Sequence, residues 1–424
     1  MDAKHYTRRD FVTQSGVALG GVGLAMGVGE ARGRGQDNGE PMSNMGYDPE
    51  TLIGQPISEI PTPALLVDLD ALDRNIKAMA DHCRGRGVNL RPHGKHFKCP
   101  AIAHRLMAAG AVGVCGAKLG EGEVFVKSGI RDVLVTAPVI GARKIQKLLE
   151  LVAITPEVKA VIDDPQHARD LGAAAVAAGL RLKVLVDISV APEGRGRTGV
   201  ETPGEGVSLA KVIGAEKGLE LVGVQAYGGH NQSVHGFENR KAAALAADAR
   251  GALTWEAIRQ AGFPLSIVSV GGTGTSMIDT GFEGVTEVQP GSYILFDTSY
   301  AAIGGENSDR FDSFEYASSV ITTVISVSPG RPGHAVVDAG TKQISNDHGN
   351  PTLKNLQGAS FGMGSDEYIT LSLRKPNRVL KLGDKVEFFP SHGDTNTNLH
   401  DRFYAVRNEK VEAVWPISAR GRSD

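Results

Sequence analysis

The feature that most constrains the fold is a regular alternation, beginning after Pro63, of short apolar segments with alanine-rich segments of helical period. The apolar segments are rich in β-branched residues, and such an alternation is typical of βα units that build a parallel sheet. Eight of them predict strands, at residues 88–93, 113–116, 132–137, 158–162, 183–188, 221–227, 266–270 and 287–294. Helices are predicted between them, among others at residues 99–109, 120–128, 166–178 and 240–261.

Eight βα units between residues 60 and 300 predict an α/β fold, a TIM-like (β/α)8 barrel with its active site at the carboxyl ends of the strands. A doubly wound open sheet is the alternative. Residues 301–424 instead alternate apolar and polar side chains between Gly, Pro and Asn turns, which predicts an antiparallel β domain. Its strands are predicted at residues 317–328, 335–338, 368–373, 385–389, 403–407 and 410–415, and residues 62–68 are a candidate to join them.

Charge and cysteine content narrow the function classes. The 424 residues carry 45 basic and 48 acidic side chains, a formal net charge of -3, so nothing draws the chain to nucleic acid or an anionic membrane surface. The three cysteines, Cys83, Cys99 and Cys115, lack the spacing of a disulfide framework or a zinc finger. The 54 glycines predict many tight turns and ligand-holding loops. We therefore expect an enzyme acting on a small molecule.

Residues 1–45 have the pattern of a twin-arginine export signal followed by a disordered leader. Arg8 and Arg9 precede Phe11 and an uncharged, glycine-rich run at residues 16–29 that is too short to span a bilayer. The alternative is a basic helix start with a flexible tail. The signal predicts that the twin-arginine export machinery delivers the protein to the periplasm.

Lys95 is the first candidate catalytic residue, because it ends the first predicted barrel strand in the segment Arg-Pro-His-Gly-Lys. At a barrel mouth, partly desolvated and close to Arg91 and His93, a lysine is expected to have a lowered pKa and to form a Schiff base. The alternative is a solvated surface lysine, the role expected of Lys98.

Glycine-containing segments lie directly after the seventh predicted barrel strand and at the end of the eighth. In the first, Gly272 and Thr273 lie in the segment Gly-Gly-Thr-Gly-Thr, and in the second, Gly291 and Tyr293 lie in Pro-Gly-Ser-Tyr. Backbone N–H groups of such turns converge on anions, and the loops after the last two strands are where barrels bind phosphate. The phenol of Tyr293 could complete this phosphate site. Ordinary turns and a core tyrosine are the alternatives.

Two more polar groups end predicted strands. Arg197 follows the fifth strand and could pair with a phenolate or carboxylate. Tyr227 ends the sixth strand, with His230 and His235 just beyond it, and these side chains could stack on a ring or transfer protons. Surface or structural roles are the alternatives for all four.

His392 and Asp394 lie two residues apart in the late segment Ser-His-Gly-Asp. On an extended backbone both side chains face one side, where an imidazole nitrogen and a carboxylate oxygen could bind one divalent cation and leave room for substrate. A hydrogen-bonded turn is the alternative.

In this order, the segments resemble those of fold-type III pyridoxal phosphate (PLP) enzymes, the alanine racemase superfamily, in its D-threonine aldolase and D-serine dehydratase branch. The resemblance covers nearly all of the chain after the predicted signal. It rests on residues 61–68 (PTPALLVD), 91–95 (RPHGK), 117–121 (AKLGE), 197–199 (RTG), 271–273 (GGT), 289–291 (QPG) and 390–394 (PSHGD).

The resemblance implies a role for each candidate residue. Lys95 would carry PLP, Arg197 would contact the 3-oxygen of its ring near Tyr227, and His392 with Asp394 would hold a divalent ion beside the β-hydroxyl of the substrate. It also implies a homodimer in which each active site is built from the barrel of one subunit and the β domain of the other. The phosphate would be held by Gly272, Thr273, Gly291 and Tyr293.

The resemblance leaves two reactions open, cleavage of the Cα–Cβ bond and loss of water. Related dehydratases tend to have Cys where this chain has Asp394, and a hard oxygen ligand favours Mn2+ or Mg2+ over Zn2+. We therefore predict a D-threonine aldolase-like lyase that cleaves β-hydroxy-D-amino acids to glycine and an aldehyde. A D-serine or D-threonine dehydratase is the alternative, ahead of an amino-acid racemase or a non-enzymatic PLP-binding protein. The general base is left open among His230, His235 and other residues.

Overall fold

The computed structural model describes residues 48–192 and 195–424. The predicted export signal at 1–45 lies outside these residues. Within the described residues no helix has the length and apolar character needed to cross a bilayer. The described chain begins with 3-10 turns at Pro49–Leu52 and Ile57–Glu59, followed by strand β1 (Ala64–Asp68).

Eight parallel strands form a curled sheet in the order β2-β9-β8-β7-β6-β5-β4-β3. A parallel bridge between His93 and Cys115 joins the two ends of this order, so the sheet closes. The predicted TIM-like barrel is therefore confirmed over the open sheet. The strands are β2 (Asn89–Leu90), β3 (Val114–Gly116), β4 (Val133–Val135), β5 (Lys159–Ile162), β6 (Leu182–Asp187), β7 (Leu219–Ala226), β8 (Ile267–Val270) and β9 (Glu287–Val288).

Helices connect successive strands and begin at residues suited to cap them. Asp68 accepts hydrogen bonds from the first turn of the first helix, and Thr202 forms a reciprocal capping box with Glu205 at the sixth. The helices are α1 (Leu69–Arg86), α2 (Pro100–Ala108), α3 (Leu119–Lys127), α4 (Ala142–Ile154), α5 (Pro165–Ala177), α6 (Pro203–Ala215), α7 (Phe237–Gln260), α8 (Ser276–Asp279) and α9 (Thr298–Ala301).

Apolar and polar side chains form separate layers inside the barrel. Cys115, Leu134, Val161 and Leu185 form a buried cluster from four neighbouring strands. Charged side chains also point inward, because residues two apart on a strand share a face, and Asp132 and Lys159 each lie two residues before a member of this cluster. The Arg91 guanidinium donates to Glu287 at 2.8 Å and to Asp132 at 2.5 Å, and Lys159 donates to Asp132 at 2.7 Å.

A second, mostly antiparallel sheet forms the β domain, and residues 49–424 pack as one compact unit. As predicted, β1 joins this sheet, antiparallel to β10 and parallel to β16. The remaining elements are β10 (Ser318–Ser326), β11 (His334–Val337), β12 (Thr352–Lys354), β13 (Ala359–Ser360), β14 (Ile369–Leu373), β15 (Lys385–Phe389), α10 (Gly393–Thr397), β16 (Arg402–Arg407) and β17 (Lys410–Pro416).

Two local predictions were wrong. The last barrel strand, predicted at residues 287–294, ends at Val288, because Pro290 has no N–H for the ladder and the chain then enters turns. The short strands β12 and β13 had not been predicted, since two or three residues of a strand carry too little alternation to detect.

Candidate active site

Two cavities meet at Lys95, at the carboxyl ends of the barrel strands. The first, here called the arginine cavity, has a volume of about 430 Å3 and is lined by Arg197 and His230 among others. The second, here called the histidine cavity, has a volume of about 520 Å3 and is lined by His392 and Asp394 among others. Both are lined by His93, Lys95, Tyr227, Gly229 and Gln289.

Lys95 lies in the turn after β2, with 36% of its side chain exposed and its Nζ 3.4 Å from Asp394 Oδ2. Burial lowers the pKa of the Lys95 amine, but the Asp394 carboxylate and the Tyr227 phenol raise it more, so the net pKa is above its ordinary value. The predicted lowering of this pKa was wrong. Arg91 does not supply a neighbouring charge, since it points into the barrel toward Glu287.

His93 is a buried neutral side chain beside this lysine. Burial, and then the positive charge of Lys95, lower the pKa of His93 to about 3. Its Nε2 lies 3.3 Å from the Thr136 hydroxyl. The uncharged imidazole of His93 therefore lines both cavities.

The loops after β8 and β9 form the wall of the histidine cavity that suits a phosphate. A Cβ at Gly291 would lie 2.9 Å from the His93 carbonyl oxygen, so this position requires glycine. A Cβ at Gly272 would lie 2.6 Å from Gln232 Oε1, so a side chain there would displace Gln232. The Tyr293 N–H donates to Thr273 Oγ1 at 3.0 Å, which ties the two loops together.

Tyr293 supports this wall from behind and does not line the cavity. Its side chain is fully buried, its phenol has no hydrogen-bond partner in the described part of the chain, and its ring lies 5.3 Å from that of Phe314. Because the phenol lies in the apolar core, the predicted contact between this phenol and phosphate has to be corrected.

Arg197 and Tyr227 converge on one side of Lys95. A Cβ at Gly229 would lie 2.7 Å from Arg197 Nη2 and 2.9 Å from the Tyr227 ring. The arginine loop is anchored by Thr198, whose hydroxyl donates to Asp187 Oδ2 at 2.7 Å. Burial raises the pKa of Asp187 to about 6, although hydrogen bonds from Thr198 and Gln225 oppose the shift.

Asp394 and His392 both line the histidine cavity, and each has its own hydrogen-bond partner. His96 Nδ1 lies 2.6 Å from Asp394 Oδ1, and His392 Nδ1 lies 2.6 Å from Asp347 Oδ2. Burial opposes ionisation of Asp394, but the hydrogen bond from His96 and the charge of Lys95 hold its pKa well below the ordinary value. The pair therefore offers an ionised carboxylate and an imidazole, which are suitable ligands for a divalent cation.

Four residues of the site had not been singled out in the sequence. Asp347 and His348 can bring donor atoms within 4.8 Å of one another and of His392, and the ring centroid of His348 stacks 3.9 Å from that of His392. Tyr300 lines the same cavity, and burial raises the pKa of its phenol. The fourth residue is His96. The polar turn at residues 346–349 (Asn-Asp-His-Gly) was the one sequence feature that could have indicated Asp347 and His348.

The candidate bases are divided between the cavities. His230 lines the arginine cavity, where burial and then Arg250 lower its pKa. His235 and His348 line the histidine cavity with His392 and Asp394. The geometry therefore separates His230 from the candidate cation ligands.

Comparison with known proteins identifies the family of the chain. The alanine racemase N-terminal domain family matches residues 67–299, and a serine dehydratase domain matches residues 317–406. The chain belongs to the alanine racemase superfamily, in its D-threonine aldolase and D-serine dehydratase branch. It is a PLP-dependent lyase of fold type III.

Three relatives illustrate the range of this branch. The 3-hydroxy-D-aspartate aldolase of Paracoccus denitrificans (strain Pd 1222) is 38% identical over 89% of this chain and 97% of its own length. The D-threo-3-hydroxyaspartate dehydratase of Delftia sp. (strain HT23) is 32% identical over 72% of this chain and 77% of its own. The crystal structure of D-threonine aldolase from Filomicrobium marinum has a TM-score of 0.82 and 39% identity, covering 87% of this chain and 98% of that one.

The residues of this lyase fit PLP. Lys95 presents a primary amine where the two cavities meet. The loops at Gly272 and Gly291 line the histidine cavity and leave little room for a side chain, whereas Arg197 lines the arginine cavity. The cofactor supplies an electron sink for the bonds at the substrate Cα.

Proposed function

We propose that this lyase cleaves β-hydroxy-D-amino acids to glycine and an aldehyde, with a divalent cation, Mn2+ in preference to Mg2+ or Zn2+. The observation that supports this reaction most directly is the ionised Asp394, whose Oδ2 lies 3.4 Å from Lys95 Nζ in the cavity that His392 also lines. A carboxylate is a hard ligand, suited to Mn2+ or Mg2+.

Each part of the site has a separate task in this reaction. Lys95 would hold the cofactor, the loops at Gly272 and Gly291 would hold its phosphate, and Arg197 would face the ring oxygen. His392 and Asp394 would hold the cation, which lowers the pKa of the substrate hydroxyl. Cleavage then requires a base that takes the hydroxyl proton in the histidine cavity, where His235 and His348 lie.

A product assay distinguishes the two reactions. The purified chain, loaded with PLP and Mn2+, is given D-threonine or D-threo-3-hydroxyaspartate, with and without a chelator. The proposal expects glycine with acetaldehyde from the first substrate and glycine with glyoxylate from the second, both lost on chelation. Formation of 2-oxobutanoate or oxaloacetate with ammonia would identify a dehydratase instead, and activity that survives chelation would refute the role of the cation.

We also propose that the protein is exported to the periplasm and acts as a homodimer. Both proposals rest on the sequence, through Arg8 and Arg9 and through the family resemblance. Cell fractionation of the wild type and an R8K/R9K variant tests the first, because loss of the twin-arginine pair should retain the enzyme in the cytoplasm. Light scattering during size exclusion tests the second, and a monomeric mass in the active enzyme would refute it.

A further inference from the structure

His96 is a fully buried histidine that follows Lys95 directly and lies against Asp394. Its Nδ1 is 2.6 Å from Asp394 Oδ1, across 298 residues of sequence. Among the described residues its Nε2 has no hydrogen-bond partner. His96 lines neither cavity, yet it contacts Asp394, a candidate cation ligand.

The tautomer of His96 follows from these contacts. As a cation ligand Asp394 is a carboxylate, which only accepts hydrogen bonds, so Nδ1 of His96, 2.6 Å from Oδ1, carries the hydrogen and donates it. Nε2 of the same ring makes no hydrogen bond among the described residues. The ring thus makes one directed hydrogen bond, to Asp394 Oδ1.

The backbone next to Asp394 is shaped for this ring. A Cβ at Gly393 would overlap the His96 imidazole, with Nε2 at 2.8 Å and Nδ1 at 3.1 Å. The Gly393 N–H donates to Asp297 Oδ2 at 2.9 Å, so the segment cannot shift freely to make room. The ring of residue 96 fills the space that any side chain at position 393 would need.

From this geometry we infer that His96 is a positioning residue for Asp394. Its Nδ1–H fixes Oδ1, which leaves Oδ2, the oxygen 3.4 Å from Lys95 Nζ, directed at the cavity to bind the cation. The inference rests on the proposed function, since it takes Asp394 as a cation ligand. Residues that orient metal ligands in this way typically change metal affinity by about 10- to 100-fold when they are removed.

A matched pair of variants tests the inference. The amide of His96→Asn can donate from nearly the position of Nδ1, whereas that of His96→Gln reaches the position of Nε2 and loses the hydrogen bond to Asp394. The dissociation constant of Mn2+ is measured on PLP-loaded enzyme by electron paramagnetic resonance of the free ion, and the absorption band of lysine-bound PLP reports on the rest of the site. We expect His96→Gln to weaken Mn2+ binding by about 10- to 100-fold and His96→Asn to stay within a few-fold of the wild type, with the band intact in both.

Three outcomes would overturn the inference. Wild-type affinity in His96→Gln would show that the hydrogen bond has no effect, and an equal loss in both variants would assign the effect to packing. Loss of the PLP band in both variants would show that His96 supports the whole site. Asp394→Ala separates this failure from that of the proposed function, because wild-type Mn2+ affinity in that variant would remove Asp394 from the cation site. If the inference holds, His96→Gln adds no further loss in the Asp394→Ala background.

Discussion

At the scale of single residues, Lys95 is distinguished from the other lysines by its place where two cavities meet. The prediction that Lys98 is a solvated surface lysine was wrong, since this side chain is buried and pairs with Glu121. The Lys95 amine faces Asp394 and Tyr227, whereas Lys127 on α3 has an exposed side chain paired with Glu123. We expect Lys95→Ala to abolish the absorption band of lysine-bound PLP and to lower kcat by at least about 1,000-fold, because the cofactor loses its covalent anchor. Lys127→Ala is the control and should match the wild type. A persisting band in Lys95→Ala would exclude Lys95 as the anchor.

Asp347 also acts on the site through another side chain. It accepts a hydrogen bond from His392 Nδ1 at 2.6 Å, and such a carboxylate fixes the ring so that Nε2 is free to bind a cation. We expect Asp347→Asn to weaken Mn2+ binding by about 10-fold while the PLP band is retained. Calorimetric titration with Mn2+ measures this change, with Asp312→Asn as an exposed control in the same half of the chain. Unchanged affinity would leave Asp347 without this role.

At the scale of elements, the periodic parts of the chain were predictable and the ends of the strands were not. The strands predicted at residues 158–162 and 385–389 agree with β5 and β15 to within one residue, because a short apolar or alternating run of this length identifies a strand. The prediction that the last barrel strand continues over residues 289–294 was wrong, because a proline and a buried tyrosine in a turn resemble the apolar end of a strand. The site is built from such strand ends, so the least predictable backbone positions its side chains.

Helices α7 and α8 contain a pair of buried carboxyl groups. Asp248 on α7 and Asp279 on α8 share a hydrogen bond, and Thr275 donates to Asp279 at 2.6 Å. Burial raises the pKa of Asp248 to about 7 and raises that of Asp279 well above its ordinary value, which the adjacent Asp248 carboxylate raises further.

This pair predicts a loss of stability with rising pH. Because the folded pKa of Asp248 is about 7 and the unfolded value is near 4, the folded state binds the proton more tightly across this window. The free energy of unfolding therefore falls between pH 4 and 7, by a few kcal/mol at most, and stays low above it. Asp248→Asn should reduce this fall and raise the unfolding midpoint at pH 8 relative to the wild type. Urea unfolding at pH 5 and pH 8 measures the free energy of unfolding of the wild type and of Asp248→Asn. An equal fall between the two pH values in both proteins would exclude the pair as its source.

At the scale of the whole molecule, the site residues that follow barrel strands were predictable from the sequence. The contacts between the barrel and the β domain were not. Lys95, Arg197, Gly272 and Gly291 follow β2, β6, β8 and β9. The parallel strands of a barrel bring their carboxyl ends together. The contact of His96 with Asp394 joins the first barrel loop to the β domain, and no periodicity in the sequence connects the two. Lys95 of the barrel and Asp394 of the β domain lie 3.4 Å apart within one chain, so a second subunit is not needed to bring these two residues together.

Because both halves of the chain contribute to one site, its ligands should stabilise the whole unit. A ligand that binds only the folded state adds about 2.7 kcal/mol at one hundred times its dissociation constant. We therefore expect PLP and Mn2+ each to raise the unfolding midpoint by a few degrees, measured by calorimetry with and without chelator. Lys95→Ala should lose most of the PLP shift, whereas Asp394→Ala should lose the Mn2+ shift alone. A Mn2+ shift that persists in Asp394→Ala would place the cation elsewhere, with Asp347 and His348 as the next donors to substitute.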